Sequence, residues 1–463
     1  MLSALGFATI GLILVLLLTN RVAAVVALVA VPVVTAFVAG FSPSEVGEFV
    51  GDGLEGVVGV TAMFVFAIVF FGVMRDAGLF EPVIRRLIGA AGNAPVGVCL
   101  ATTTLAAVVH LDGAGATTFL IALPAMLPVF DRLGMSRLVL TTCVGLGAGV
   151  MNVLPWGGPT ARASTVVGID PVSLWVPLIP AQVVGLLAAL AVAGFLGLRE
   201  SRRLAGTTVA TSAVPVGAAA GTTTTVASGS GRTGPTTEGP DRPDDDADEA
   251  REEEDLSRPR LFWVNAVLTL AVLATLVSGV APPETVFLVA AVLALVVNYP
   301  GLSVQTARIQ AHAQGAMLMA TTLLAAGVLL GLLDGTGMVT AMAQTLAAAV
   351  PAWLGPALPV VVGVLGVPLS LLFGPDAYYY GVLPVLTELG TNLGIAGVDL
   401  ARASLVGQET VGFPISPLTG AFYLLIGLGG VDIGRHIRSL IGWAWLVSLV
   451  MLATALLTGA VAL

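Results

Sequence analysis

Long apolar runs recur along the whole chain, and several are long enough to cross a lipid bilayer. A helix that spans the hydrocarbon core needs about 20 predominantly apolar residues. Only 10% of the 463 residues are charged and 57% are hydrophobic, whereas about a quarter of the residues in a typical soluble domain are charged. The sequence therefore predicts an all-α integral membrane protein, and we expect no nucleic-acid partner.

Four of these apolar runs are interrupted by glycine, proline and polar residues. The interruptions fall at residues 112–115, 152–160, 374–376 and 412–420. Such residues free backbone N–H and C=O groups, which a membrane tolerates only where the backbone is buried in protein or lines a cavity. Broken helices of this kind form the substrate sites of many secondary transporters. We therefore expect the substrate site where the breaks meet.

A polar segment divides the chain into two halves. Residues 205–257 are rich in Thr, Ser, Gly and acidic residues, and eleven of the 28 acidic residues lie between positions 238 and 255. We interpret this segment as a disordered acidic cytoplasmic linker, because it lacks apolar periodicity. It separates a first transmembrane repeat, residues 1–204, from a second, residues 258–463.

The two halves share a common register of glycines and prolines. Matching pairs, separated by 259 to 262 positions, are Gly72 with Gly331, Gly78 with Gly337, Pro124 with Pro384, Pro155 with Pro417 and Gly158 with Gly420. A nearly constant separation across three breaks indicates an internal duplication.

The distribution of arginine predicts how the two repeats are oriented. If the interrupted runs near positions 112 and 374 are re-entrant hairpins, each repeat has about five crossings, so the repeats are inverted. With the N-terminus outside and the linker cytoplasmic, fourteen arginines fall inside and only Arg162 and Arg402 fall near the outer face. This agrees with the positive-inside rule. We expect a multi-pass protein of the cytoplasmic membrane.

The first hairpin tip carries polar residues that could contact a substrate. The candidates are Asp112, Gly113, Gly115, Thr117 and Thr118. Asp112 could instead cap the returning half-helix, with the glycines making the turn. The nearby His110 is more often a satisfied core histidine than a ligand in such a position.

The second interruption cannot continue as a helix through its Pro-Trp-Gly-Gly-Pro string. The candidates here are Asn152, Gly157, Gly158, Thr160 and Arg162. A half-helix that starts after the break points its positive N-terminal end at the gap, which suits an anion. Arg162 could pair with a substrate carboxylate or extend to the outer interface.

The second repeat offers a similar set of candidates. They are Gly374, Asp376 and Tyr378 at the hairpin tip, and Ser416 and Thr419 in the following break. Capping competes with binding for Asp376, and an interfacial aromatic belt competes with a functional surface for the tyrosines at positions 378–380. Glu409 lies inside an apolar run without an obvious partner. Ionisable residues in such positions are typically functional, so we predict that Glu409, Asp112 and Asp376 take part in proton coupling.

Several of these strings resemble the CitMHS family of proton-coupled symporters for citrate complexed with a divalent metal. The strings are DGAGATTFLIALPAMLPVFDRLGM, GVMNVLPWGGPTARAS, FGPDAYYYGVLP, ARASLVGQE and SPLTGAFYLLIGLGGVDIG. The resemblance covers both halves and excludes the linker, and NVLPWGGPTARA and FGPDA are its specific parts. CitMHS belongs to the ion-transporter superfamily of elevator-type carriers.

The resemblance implies a homodimer with a scaffold domain and a moving transport domain that contains both hairpins and both broken helices. It also implies that citrate travels with Mg²⁺ or Ca²⁺ as part of the transported complex, with no permanently bound cofactor. A sodium-coupled di- or tricarboxylate carrier is the alternative, because the same oxygens could bind sodium or protons. A channel is disfavoured by hairpins that close from opposite sides. An enzyme is disfavoured because the sequence contains no catalytic motif.

Overall fold

The computed structural model describes residues 1–19, 21–211, 256–348 and 355–462, and within these ranges the chain is helical without a β-strand. Six helices are long and apolar enough to cross a membrane, and several shorter apolar helices accompany them. The predicted all-α class of an integral membrane protein is confirmed. Residues 212–255, which make up most of the predicted linker, lie outside the described residues.

The first half begins with two apolar helices, one long helix and a short amphipathic helix, and then contains both interrupted runs. Its helices are α1 (Leu2–Leu18), α2 (Ala24–Val38), α3 (Pro43–Asp76), α4 (Glu81–Ala91), α5 (Pro95–Val109), α6 (Gly115–Arg132), α7 (Arg137–Met151), α8 (Gly158–Val167), α9 (Pro171–Trp175) and α10 (Ile179–Thr211). Helix α10 runs past position 204, so the helical part of the first half extends beyond the boundary that composition predicted.

The second half follows the same order of long, short and interrupted helices. Its helices are α11 (Phe262–Ser278), α12 (Pro283–Asn298), α13 (Leu302–Gly335), α14 (Met338–Ala347), α15 (Leu358–Leu369), α16 (Leu383–Asn392), α17 (Gly397–Leu405), α18 (Gly420–Gly429) and α19 (Ile433–Leu457). A π-helix, Ala377–Val382, leads into α16, and a 3₁₀ turn, Phe413–Ile415, precedes α18.

Helices α3 and α13 have 34 residues each and are the longest pair in contact. Apolar composition alone places the start of the third span near position 57, but the helix begins at Pro43. Ser42 and Glu45 form a capping box, in which the Ser42 N–H donates to the Glu45 carboxylate at 2.8 Å. At about 1.5 Å per residue each helix is roughly 51 Å long, so it must tilt or extend beyond a core of about 30 Å.

Small residues bring α3 and α13 into close backbone contact. A Cβ atom added at Gly327 would lie 2.6 Å from the backbone oxygen of Gly53, and one added at Gly331 would meet the backbone oxygen of Phe49. Close approach through small residues is a common way for membrane helices to associate, because packing replaces the hydrophobic effect inside lipid. The two long helices therefore form a tightly packed pair against which α8 lies.

Candidate functional site

Four segments at the helix interruptions approach one another in the folded chain. We call residues 110–118 tip 1, residues 152–157 break 1, residues 370–376 tip 2 and residues 406–419 break 2. Tips 1 and 2 join α5 to α6 and α15 to α16, and breaks 1 and 2 separate α7 from α8 and α17 from α18. Break 2 was expected near residues 412–420, but α17 already ends at Leu405. Glu409 therefore lies in non-helical backbone and not within a continuous span.

Asp112 at tip 1 stabilises the turn and has an ion-pair partner. Its Oδ1 accepts a hydrogen bond from the Ala114 N–H at 2.8 Å, and Gly113 takes a left-handed φ of 76° to make the turn. Its Oδ2 lies 3.7 Å from Arg75 Nη1, and the same guanidinium donates to Thr117 Oγ1 at 3.2 Å. The bond to the Ala114 N–H closes the turn before α6, but α6 has no side-chain cap, so the capping alternative is wrong. Sequence reasoning counted Arg75 only as a cytoplasmic charge and missed its contact with tip 1.

Two hydrogen bonds connect break 1 to tip 1 and to α8. The indole N–H of Trp156 donates to the Leu111 carbonyl at 2.8 Å, which ties break 1 to tip 1. The Thr160 hydroxyl donates to the Val153 carbonyl at 2.9 Å and spans the break from α8. A Cβ atom at Gly157 would lie 2.7 Å from the Asn152 carbonyl oxygen, so only glycine fits without displacement. Gly158 starts α8, whose N-terminus faces the break as predicted.

Arg162 joins the two halves of the chain through a partly buried ion pair. Its Nε lies 2.6 Å from Asp376 Oδ1, and the side chains are 12% and 25% exposed. The alternative in which Arg162 extends to the outer interface is therefore wrong, because the guanidinium finds its partner inside the protein. Asp376 does not act as a cap in this arrangement. The half-helix after break 1 and the tip of the second hairpin thus share one pair of opposite charges.

Glu409 occupies a strained backbone position in break 2. Its φ of 52° makes it the one non-glycine residue with a left-handed backbone among those that the structure describes. Such a conformation costs of the order of 1 kcal/mol or more and persists only where its surroundings impose it. Here the Glu409 N–H donates to Ser370 Oγ at 3.0 Å, and its carbonyl accepts from Asn152 Nδ2 at 2.8 Å. Tip 2 and break 1 therefore fix the Glu409 backbone from both sides.

The Glu409 carboxyl group itself is buried, and neither oxygen has a hydrogen-bond partner among the described residues. Ser416 lies beside it without a hydrogen bond of regular geometry, and its own hydroxyl is likewise buried and unpartnered. The charged groups that act on this carboxyl group are Arg162 and Asp376. Among the described residues Glu409 forms no salt bridge with an arginine. Both oxygens thus remain able to bind a proton or a cation.

The three tyrosines after tip 2 are fully buried. The Tyr378 hydroxyl lies 2.8 Å from Ser404 Oγ, and the Tyr379 hydroxyl donates to the Gln408 carbonyl at 2.8 Å. They therefore do not form an interfacial belt, and that alternative is wrong. The tyrosines instead anchor the returning arm of the second hairpin to α17 and break 2, while a substrate contact for Tyr378 stays a prediction.

A cavity of about 380 Å³ opens beside tip 2 and break 2. Its walls are residues of α1 and of the segment that follows it, together with Gly374, Asp376 and Thr419. Its volume falls within the range of roughly 300–1,000 Å³ found for small-molecule sites. A second cavity, of about 440 Å³, lies between α3, α13, α8 and α16 and is lined by Asp52, Asp334 and Glu388 without a basic residue. Neither lining contains a basic residue, but the first cavity has one acidic side chain, Asp376, where the second has three.

Comparison with known proteins identifies the family. A family model described as "CitMHS: Citrate transporter" matches residues 5–407. The chain belongs to the CitMHS family. Its relatives are named as transporters and not as enzymes.

Two Bacillus subtilis relatives of this CitMHS member match over nearly their whole length. The protein named "Citrate transporter" is 37% identical over 459 residues, which cover 99% of each chain. The protein named "Mg(2+)/citrate complex secondary transporter" is 37% identical over 463 residues, which cover 100% of each chain. These alignments include Glu409, Ser416 and Thr419, which lie beyond the region matched by the family model.

Two solved structures share the fold of this CitMHS chain. The Alcanivorax borkumensis YdaH transporter superimposes with a TM-score of 0.53 at 15% identity, covering 90% of this chain and 87% of its own. The Neisseria gonorrhoeae transporter MtrF superimposes with a TM-score of 0.51 at 12% identity, covering 89% and 82%. At these identities the likeness concerns the fold alone.

Proposed function

We propose that this CitMHS protein is a secondary active symporter that moves citrate, as a divalent metal–citrate complex, together with protons across the cell membrane. The observation that carries the proposal is the partly buried Arg162–Asp376 pair beside the unpartnered Glu409 carboxyl. The names of the two relatives support citrate and its Mg²⁺ complex as the cargo. We base the proposal of proton coupling on Glu409, and the proposal of a metal complex on the charges of Arg162, Asp376 and Glu409.

The charge balance of the site favours a metal complex over free citrate. Arg162 is already paired with Asp376, and Glu409 adds a second carboxyl group nearby. A free citrate trianion would meet no surplus of positive charge there, and an uncompensated charge in a buried site is costly. A bound Mg²⁺ or Ca²⁺ cancels most of the citrate charge and prefers oxygen ligands, which carboxyl groups supply. We therefore place the complex beside Asp376 and Thr419, with the metal as cargo.

Glu409 is the group that we assign to proton coupling. A carboxylate buried without a partner is strongly disfavoured, whereas a protonated carboxyl carries no net charge. Binding a proton at Glu409 would also remove the negative charge nearest to Asp376. Loading of the anionic complex and loading of the proton would then favour each other, as symport requires.

The fold supports a proposal for how the site is exposed to each side. We propose that residues 1–204 and 258–463 are inverted repeats, with the N-terminus outside and the intervening linker cytoplasmic. The paired helices α3 and α13 would belong to a static scaffold, and the tips and breaks to an elevator-type transport domain. The Arg75–Asp112 contact joins α3 to tip 1 and would have to break when the transport domain moves. A homodimer held through the scaffold completes this proposal.

Uptake of radiolabelled citrate into proteoliposomes tests the proposed function. We expect uptake to need Mg²⁺ or Ca²⁺ and to rise with an inward proton gradient. Uptake that is indifferent to divalent metal would overturn the metal–citrate cargo. Dependence on sodium without dependence on a proton gradient would overturn proton coupling in favour of a sodium-coupled carboxylate carrier.

A further inference from the structure

His110 is a fully buried residue that contacts three of the four segments of the site. Its Nδ1 lies 2.7 Å from Thr118 Oγ1 in tip 1, and its Nε2 lies 3.2 Å from Asn152 Oδ1 in break 1. Its ring stacks on Phe413 in break 2 at 5.7 Å between centroids. The expectation of a satisfied core histidine is confirmed, since both ring nitrogens have partners. Because these partners belong to tip 1 and break 1, His110 connects two segments of the site in addition to packing against them.

The hydrogen bonds of Asn152 determine which nitrogen of His110 carries the proton. The Glu409 backbone carbonyl can only accept, so the Asn152 group that faces it at 2.8 Å must be the NH₂ group. Asn152 Oδ1 therefore faces His110 Nε2, and it can only accept a hydrogen bond. It follows that Nε2 carries a hydrogen and donates to Asn152. The tautomer of His110 is thus set by the amide of Asn152 and the carbonyl of Glu409.

The other nitrogen of His110 extends the same chain of donors into tip 1. In the neutral Nε2–H tautomer, Nδ1 is an acceptor and takes the single hydroxyl hydrogen of Thr118 at 2.7 Å. The Ala114 carbonyl, at 3.0 Å from the same hydroxyl, already accepts the Thr118 backbone N–H at 3.1 Å. Three donors therefore point one way, from Thr118 to His110, from His110 to Asn152, and from Asn152 to Glu409. Such directional chains strengthen each member in buried surroundings.

The end of this chain is the strained backbone of Glu409. One of the two bonds that hold the left-handed Glu409 comes from Asn152, and the orientation of Asn152 depends on the Nε2–H of His110. Without that donor the Asn152 amide loses its partner on one side and can rotate. The Glu409 carbonyl would then lose its bond, and the backbone could relax towards an unstrained conformation. The carboxyl group would leave the position that faces Arg162 and Asp376.

We propose that His110 is a positioning residue for transport, which holds the Glu409 carboxyl in place by donating from Nε2 to Asn152. It acts through Asn152 and does not itself contact the substrate or carry the coupled proton. The inference rests on the proposed function of the Glu409 site. It adds a donor chain that links the first hairpin of one half to the second break of the other.

Two amide variants of His110 separate this role from mere packing. The amide nitrogen of His110→Gln can occupy the position of Nε2 and donate to Asn152, whereas His110→Asn reaches only the position of Nδ1. We expect H110Q to keep citrate uptake within about threefold of the natural protein and H110N to lose about tenfold or more, because a buried hydrogen bond with its unpaired partner accounts for that difference. The loss in H110N should fall on the maximal rate and should shift the pH profile of uptake, because Glu409 leaves Arg162 and Asp376, whereas H110Q should keep the profile of the natural protein.

The competing outcomes are distinct. Equal losses in H110Q and H110N, with equal losses in unfolding temperature of the full-length chain, would assign His110 to packing and overturn the proposal. Loss of proton-driven uptake in both variants, with citrate exchange retained, would make His110 a proton carrier and would also overturn it. A double-mutant cycle gives a second measurement. H110N and N152A should cost no more together than N152A alone, and additive costs would refute the chain.

Failure of the proposed function is distinguishable from failure of this inference. If Glu409→Gln keeps undiminished proton-driven uptake, Glu409 has no role in proton coupling, whatever the result for the His110 variants. A defect in E409Q, with equal behaviour of H110Q and H110N, would leave the proposed function intact and remove only the positioning role.

Discussion

Replacing Asp376 by asparagine tests the contact through which the two halves of the chain share one pair of charges. The substitution keeps the shape of the side chain and leaves the Arg162 guanidinium without the carboxylate that lies 2.6 Å from it. Because the two side chains are only 12% and 25% exposed, water compensates little of the loss. Breaking a buried pair by removing one partner costs about 3–5 kcal/mol. The pair is only partly buried, so we expect the lower end of that range.

An exposed pair of the same chemistry provides the matched control. Arg137 Nη2 lies 2.7 Å from Asp131 Oδ2, but both side chains are 44% exposed. Pairs of this kind contribute about 0–1 kcal/mol, since water screens them. Asp131→Asn should therefore leave the unfolding temperature almost unchanged. The residue types and the shortest distances are nearly identical, and the exposed pair has one hydrogen bond more, so a larger loss in D376N would be due to burial.

The assay is heating of the full-length protein in detergent, followed by size-exclusion chromatography, alongside citrate uptake in proteoliposomes. A cost of about 3 kcal/mol corresponds to roughly a hundredfold change in an equilibrium constant, so D376N should unfold well below the natural protein. The double variant R162Q/D376N should be more stable than D376N, because it no longer buries an unpaired charge. If D376N is as stable and as active as D131N, the pair does not hold the site together.

Three further predictions concern other parts of the site. Glu409→Gln should abolish the stimulation of uptake by an imposed proton gradient and retain citrate exchange; a gradient effect of natural size would exclude Glu409 from coupling. Arg75→Gln removes the contact with Asp112, and since Arg75 is 34% exposed we expect at most about 1 kcal/mol in stability but a clear change in the maximal uptake rate. An unchanged rate would argue against a state-dependent contact. Gly157→Ala should cost about 1–3 kcal/mol through overpacking, measured as the unfolding temperature, because its Cβ would lie 2.7 Å from a backbone oxygen. Gly427→Ala, with open space around its Cβ, should be neutral, and equal effects of the two would refute the steric reasoning.

Local sequence patterns predicted the positions of the breaks better than their extent. The interruptions around Asp112 and Gly157 were located correctly because Pro and Gly act locally on the backbone. Break 2 starts earlier than Gly412, since its left-handed turn at Glu409 uses a residue type that carries no turn signal. The early start of α3 had a signal, the Ser-x-x-Glu capping box at Ser42, but apolar composition masks it.

The roles of individual site residues depended on contacts that no local pattern contains. The sequence allowed two interpretations of Arg162 and two of Asp376. Only the ion pair that joins them across the two halves of the chain decided between these interpretations. Arg75 and Ser370 were missed, because an arginine at a helix end and a serine in an apolar run are common without function. Their contacts with tip 1 and with the Glu409 N–H become visible only in three dimensions.

By itself the sequence determined that the chain is a helical membrane protein with broken helices, because the cost of burying polar groups in lipid acts on every segment separately. It also supplied the strings that match the CitMHS family. The tertiary structure decided which broken segments meet, which carboxyl group keeps a partner and which does not. Asn152 reaches Glu409 across 257 positions and Arg162 reaches Asp376 across 214. Such pairings depend on how helices from both halves pack, and no periodicity within one helix records that.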